Sequence, residues 1–168
     1  MRFKMACVIY FIFICANLCG NCHSDTAAHR IPIQNIMMKE FEPIPEHSTR
    51  IGTAVIDSAF VVHRNLGPGL LEKVYEVCIC HELSKRGITT LRQVDIPISY
   101  DGIIFKEGLR LDILAGDEII IELKAVDQIN PVWEAQILSH LKLAGKRLGY
   151  LINFNVPLLK SGIKRFVL

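Results

Sequence analysis

From residue 49 onward, apolar positions recur first at helical spacing and then at strand spacing. Ser48 or Thr49 is placed to cap a helix running to about Asn65, with Ile51, Val55, Ser58, Ala59 and Val62 on one stripe. Gly67-Pro68-Gly69 breaks the chain. A second helix is predicted from about Leu70 to Arg86, with a stripe of Leu71, Val74, Cys78 and Leu83 and Gly87 at its C-terminal cap. Thr89 to Tyr100 is β-branched and alternating, Asp101-Gly102 signals a turn, and Ile103 to Lys106 leads into the alternating Leu109–Leu114. Ala115-Gly116-Asp117-Glu118 turns the chain into a further strand, Ile119 to Val126. Pro131 opens a third helix, where its missing N–H costs little, and Gly145 or Gly149 ends it. Gly149–Phe154 and Ile163–Leu168 read as the last strands. The order is therefore helix, helix, several strands, helix, strand, strand, an α/β class with no internal repeat.

The first 48 residues follow a different pattern. Arg2 and Lys4 precede an apolar run, Met5–Ala16, and Asn17 breaks it. This is the layout of a secretory signal, and the run is short of the roughly 18–20 residues that span a bilayer. Thr26-Ala27-Ala28 offers a small-residue cleavage site well beyond the run. Two readings stand: a genuine export signal, or a start assigned too early, with Met37 and Met38 as alternative starts. The stretch to His47, with Pro32, Pro43 and Pro45, reads as a linker in both cases. The expected division is an extension over residues 1–48 and one domain over residues 49–168. The domain itself carries no stable membrane span, and a cytoplasmic location is expected unless the apolar segment is a working signal.

Composition adds bounds rather than function. A chain of 168 residues with 51% hydrophobic and 21% charged residues can bury a core, which excludes wholesale disorder. A net charge of +2 is too small to announce a partner. Four of the six cysteines fall in the first 22 residues. Cys78 and Cys80 stand two apart on a predicted helix, point in different directions and cannot bridge each other. No second pair at metal-ligand spacing accompanies Cys78-x-Cys80-His81, so these are read as packing residues.

The chemistry lies in the strand from Ile119. Glu122 and Lys124 are the polar exceptions in an apolar run and, spaced by two, share a face. Alone, the pair reads as an exposed cross-strand salt bridge of modest worth. The preceding strand alters that reading. If the hairpin closes with a three-residue loop at Gly116-Asp117-Glu118, Asp112 falls opposite Glu122, with Cβ atoms about 5 Å apart. A four-residue loop would put Asp112 on the other face. Two carboxylates that close repel unless a cation lies between them or one is protonated. Mg²⁺ accepts few protein carboxylates and keeps its waters, which suits this pair. The arrangement fits metal-assisted phosphodiester hydrolysis, with Asp112 and Glu122 as ligands and Lys124 as the cation that orients water or offsets transition-state charge.

Gly69-Leu70-Leu71-Glu72-Lys73-Val74-Tyr75 reads as G-x-x-E-x-x-Y. With Leu66-Gly67-Pro68-Gly69 before it and Leu83–Ile88 after it, this stretch resembles the bacterial GxxExxY protein family, which is assigned to the PD-(D/E)XK nuclease-like superfamily. The resemblance covers nearly all of residues 49–168 and none of residues 1–36. It implies an αβββαβ core, a mixed central sheet flanked by helices. It also implies an acid on the first core helix, matched by Glu72, and a strand Asp, matched by Asp112. The E-x-K is matched by Glu122-Leu123-Lys124, and a polar residue on the following helix by Gln136. Glu72 would then join Asp112 and Glu122 at Mg²⁺ or Mn²⁺, and Gln136 would position the site. The departure is Leu111, which stands where the family pattern has Pro. The superfamily implies the fold strongly and cleavage weakly.

Other residues carry two readings each. Tyr75, one turn from Glu72, is either hydrogen-bond support for the site or a core aromatic. His140 and Gln136 share a helical face with Trp133, which without the resemblance reads as a boundary stripe. His63 reads as a satisfied boundary histidine or a group reaching the site. No acid follows Glu134, and Lys142, Lys146, Arg147, Lys160, Lys164 and Arg165 bias the C-terminal end positively. That bias is either a nucleic-acid contact surface or a solvated basic surface. The expected function is a Mg²⁺-dependent nuclease-like protein acting on nucleic acid, with DNA favoured. The alternative is a non-catalytic nucleic-acid- or protein-binding module that retains the fold. The sequence does not speak to oligomeric state.

Overall fold

The computed structural model describes residues 42–168. The signal-like run, the four cysteines of the first 22 residues and the alternative starts Met37 and Met38 lie outside the described residues. The elements are α1 (Glu46–Leu66), α2 (Glu72–Lys85), β1 (Thr90–Tyr100), β2 (Ile103–Ala115), β3 (Ile119–Lys124), α3 (Pro131–Ala144), β4 (Leu148–Asn153), the short α4 (Leu159–Gly162) and β5 (Ile163–Val167). They form a mixed five-stranded sheet in the order β1-β2-β3-β4-β5. Only β3 and β4 run parallel, joined by the α3 crossover; every other neighbouring pair is antiparallel. The α/β class and the αβββαβ core expected from the sequence are both present.

The sheet has helices on both faces. Ile51, Val55, Ala59 and Val62 of α1 and Tyr75, Ile79 and Leu83 of α2 pack on one face against Ile113, Ile119, Ile121 and Leu123. Ile137 and Leu141 of α3 pack on the other face with Leu111, Leu114, Ile120, Leu151 and Phe166. A strand covered on both sides reads as an unbroken apolar run, which is why Ile119 to Leu123 is buried at every residue. Asn130 caps α3 by accepting the Val132 N–H at 2.9 Å, and Gly145, at φ 63°, ends it in the left-handed conformation expected of a C-cap.

Three expectations need correction. Helix α1 starts at Glu46 after Pro45, with no side-chain cap. Ser48 lies inside the first turn and donates instead to Glu118. The buried stripe of α2 is Tyr75, Glu76, Ile79 and Leu83; Leu71 and Val74 are exposed and Cys78 is half-buried. The helix is turned so that Tyr75 enters the core, with Glu76 buried beside it and paired by β1. Finally, α4 makes a turn before β5, where the sequence predicts only a connection.

One residue gathers the two ends of the described chain. The Arg147 guanidinium, just before β4, donates to the carbonyls of Glu42 and Pro43 and, at 3.3 Å, to that of Leu168.

Candidate active site

The site forms where β2 leaves β3. Ala115 pairs with Ile119, so the connecting loop has three residues, and the ladder continues through Leu114–Ile120 and Ile113–Ile121. The next step of that register sets Asp112 across from Glu122, as the loop arithmetic predicts. At this step a side chain takes over from the ladder: Asp112 Oδ2 accepts the Leu123 N–H at 2.9 Å. The alternation in β2 also slips here, because Leu111 and Leu114, three apart, both pack on the α3 side. Across from Asp112, between the pairs Arg92–Ile113 and Val94–Leu111, Gln93 takes a φ of 52°. A non-glycine residue rarely adopts that conformation, and here it marks a local irregularity in both strands.

The irregularity turns Asp112 toward α2. A groove of about 360 Å³ opens there, lined by Glu72, Lys73, Glu76, Arg92, Gln93, Arg110, Asp112 and Leu123. Its floor is ionic: Glu76 accepts from Arg92 Nε at 2.6 Å and from Gln93 Nε2 at 2.8 Å. Glu72 opens α2, where the helix dipole favours an acid, and its Oε1 accepts the Ala125 N–H at 3.1 Å, just past the end of β3.

Glu122 and Lys124 face the other way. The Glu122 carboxylate is buried under α3, and its Oε1 lies 2.7 Å from His140 Nδ1. Burial pushes the Glu122 carboxyl above its ordinary value; the His140 hydrogen bond opposes the shift and the nearby Asp112 charge adds to it. Lys124 Nζ lies 5.8 Å from the centre of the Trp133 ring.

The predicted residues are therefore partly assembled. Asp112 and Glu72 share the groove, and Glu122 is close enough to Asp112 to feel its charge. Among the described residues, no three His, Cys, Asp or Glu side chains form a metal-holding group, so Glu72, Asp112 and Glu122 do not make a three-carboxylate set. The physical reason is the slip at Asp112, which directs it and Glu122 to different sides of β3. Gln136 is exposed on α3 and does not line the groove, because the buried residues of that helix are Ile137, His140 and Leu141. Tyr75 is a core aromatic: its ring stacks on Phe154 at 4.2 Å, and its hydroxyl donates to Gly67 O and accepts from Leu70 N. His63 Nε2 lies 2.8 Å from Val156 O, as a satisfied boundary histidine would. Cys78 and Cys80 are free and half-buried. Part of the basic C-terminal end is engaged internally, with Lys146 on Asp117 and Lys164 on Glu134. The His140 contact escaped the sequence reading; its signal was a histidine one turn beyond Gln136 on an otherwise apolar stripe.

The Glu122 shift sets a pH dependence. A carboxyl whose folded value stands above its ordinary 4.5 binds a proton more readily folded than unfolded. Its contribution to stability is greatest at low pH and is lost as pH rises from about that value through the folded one. Glu122→Gln, which cannot titrate, is therefore expected to gain on wild type in melting temperature as pH rises above 4.5. Melting curves at several pH values in EDTA check this, and parallel profiles for the two proteins would refute it.

The PD-(D/E)XK nuclease superfamily matches residues 49–166. No curated protein and no solved structure matches the chain. Among the described residues, no helix is long and apolar enough to cross a membrane.

Proposed function

Because the chain belongs to the PD-(D/E)XK nuclease superfamily, we propose that it hydrolyses phosphodiester bonds of nucleic acid, DNA in the first instance, with Mg²⁺ or Mn²⁺ held by Asp112 and Glu72. The observation that carries this reading is that both carboxylates line the groove beside α2. The donor chemistry fits a hard cation. Each carboxylate is oriented through one oxygen, Asp112 by Leu123 N and Glu72 by Ala125 N, and its second oxygen has no hydrogen-bond partner among the described residues. Two carboxylates plus waters are sufficient for Mg²⁺.

When bound, such an ion supplies Lewis acidity, which acidifies water and offsets phosphate charge. The protein supplies the rest. Asp112 is fixed by a main-chain N–H and so is aimed by the sheet edge rather than by a flexible loop. Lys124, on the same face of β3 as Glu122, is held by Trp133 and carries the positive charge that offsets the transition state. Lys73, Arg92 and Arg110 put cationic donors along the groove for backbone phosphates, with Glu72 beside Asp112.

A plasmid-nicking assay with Mg²⁺ or Mn²⁺ tests the proposal. Asp112→Ala and Lys124→Ala are each expected to lower the rate on the order of 100-fold, the scale of losing one transition-state contact. Unchanged rates in both variants would overturn it. The engagement of Glu122 by His140 also supports a second reading, a binding module that retains the fold without cleaving. DNA binding that weakens steeply with salt, with no nicking and no Mn²⁺ binding, would select it.

A further inference from the structure

Beyond Asp112 the β1–β2 hairpin has no neighbouring strand among the described residues. β3 pairs with β2 only from Ile113 to Ala115, and β1 is the edge of the sheet. The hairpin continues outward through Asp95–Arg110 and Ile96–Leu109, breaks register, and resumes at Ile98–Phe105, Ser99–Ile104 and Tyr100–Ile103. Opposed residues share a face and side chains alternate, so Ile98, Tyr100, Ile103 and Phe105 lie together on one face of this arm. Such a face in a sheet normally covers a core. Here Tyr100 is 74% exposed, Ile103 58% and Phe105 41%, and none of the four belongs to either core cluster. Neither ring stacks on another aromatic ring among the described residues. A two-stranded arm gains no stability of its own by holding such side chains in water.

The root of the arm points to its occupant. Arg92, Arg110 and Asp112 stand on the same two strands and line the groove. Phe105 is five residues from Arg110, no more than about 17 Å along β2 at about 3.3 Å per residue. A nucleic-acid strand with its phosphates in the groove therefore reaches the arm within a few nucleotides. The arm's charge decides what it can hold there. From Val94 to Leu109 the chain carries Asp95, Asp101 and Glu107 against Lys106 alone, so a duplex backbone finds little to neutralise it. The flat faces of unpaired bases find two free rings, and every base has such a face. We infer that the tip of the β1–β2 arm stacks unpaired bases on Tyr100 and Phe105, so that the substrate of the groove is nucleic acid with a single-stranded segment. The inference rests on the nuclease reading above and names its substrate class.

Fluorescence anisotropy of the full chain in EDTA tests it, with a labelled single-stranded thymidine oligonucleotide and a labelled blunt duplex of the same length. Wild type is expected to bind the single strand at least about 10-fold more tightly than the duplex. Tyr100→Ala/Phe105→Ala is expected to weaken single-strand binding about 10-fold or more, the scale of losing a base–aromatic stack, and to change duplex binding less than about twofold. Tyr100→Trp, which keeps a ring, is expected to bind the single strand at least as well as wild type. Tyr100→Leu, which keeps apolar bulk without a ring, is expected to fall toward the double variant. Melting curves establish folding; if the double variant does not fold, equal affinities of Tyr100→Leu and Tyr100→Trp overturn the inference. Unchanged single-strand binding in a folded double variant, or a duplex bound by wild type as tightly as the single strand, would overturn it and leave the nuclease reading intact. A wild-type dimer in sedimentation that the double variant abolishes, with no strand preference, would assign the tip to a second copy and overturn it likewise. Single-strand binding that follows the arm variants, with no Mn²⁺-dependent cleavage of either probe, would support the stacking role and remove the hydrolytic reading instead.

Discussion

Truncating Tyr75 to alanine is expected to cost about 3–5 kcal/mol of folding stability, the range for deleting a buried aromatic ring. The ring is fully buried and stacked on Phe154 at 4.2 Å, so its loss opens a cavity between α2 and the end of β4. The hydroxyl adds a second effect. It donates to Gly67 O at 2.7 Å and accepts from Leu70 N at 3.1 Å, closing the glycine loop onto the helix that follows. Tyr75→Phe keeps the ring and leaves those two main-chain groups without their partner, at an expected cost of about 1–2 kcal/mol. Urea unfolding of the three proteins separates the terms; equal midpoints for Tyr75→Ala and wild type would refute the packing role. The G-x-x-E-x-x-Y spacing acquires a physical meaning from this. Gly69, at φ 95°, makes the turn, Glu72 ties the first turn of α2 to Ala125, and Tyr75 locks the loop from inside.

Arg92→Met is expected to destabilise the fold by about 3 kcal/mol. Glu76 is 5% exposed, and the guanidinium of Arg92 is its only cationic partner among the described residues. Removing one member of such a pair leaves a buried charge, which typically costs about 3–5 kcal/mol; the partial exposure of Arg92 places this case at the low end. The double variant Glu76→Leu/Arg92→Met is expected to recover most of the loss, since an apolar pair of similar volume needs no counter-charge. A double-mutant cycle by chemical denaturation measures the coupling. Additive losses would show that the pair is screened despite its burial. Because both residues line the groove beside Asp112, the recovered double variant would also separate groove charge from fold in a nicking assay.

The parts of the fold that follow from local chain arithmetic were legible in the sequence. The run Ile119 to Val126, apolar except at Glu122 and Lys124, is too short for a helix. The three-residue turn at Gly116–Glu118 then fixes which residue of β2 opposes Glu122. Pro131 and Gly145 bound α3 for reasons internal to that helix. What was not legible depends on partners distant in sequence. Periodicity assigns a glutamate to solvent, so Glu76 misled the reading of α2; it is buried because Arg92 and Gln93 come from β1 to satisfy it. No residue type advertises the φ of Gln93, yet that irregularity coincides with the slip that sends Asp112 and Glu122 to different sides of β3. Gln136 has a suitable side chain, but the rotation of α3, set by Ile137 and Leu141, leaves it in solvent. His140 looked like part of a boundary stripe because nothing local says that a strand acid waits beneath it.

The Arg147 clasp makes the described chain a nearly closed loop in space. Residues 42 and 43 and the carbonyl of Leu168 meet on one guanidinium, so a few linking residues could replace the side chain that now joins them. A chain so joined could be reopened at the exposed Asp101-Gly102 turn without cutting β2 from β3 or β3 from β4. The order in which the polypeptide visits its strands is thus separable from the architecture that those strands build.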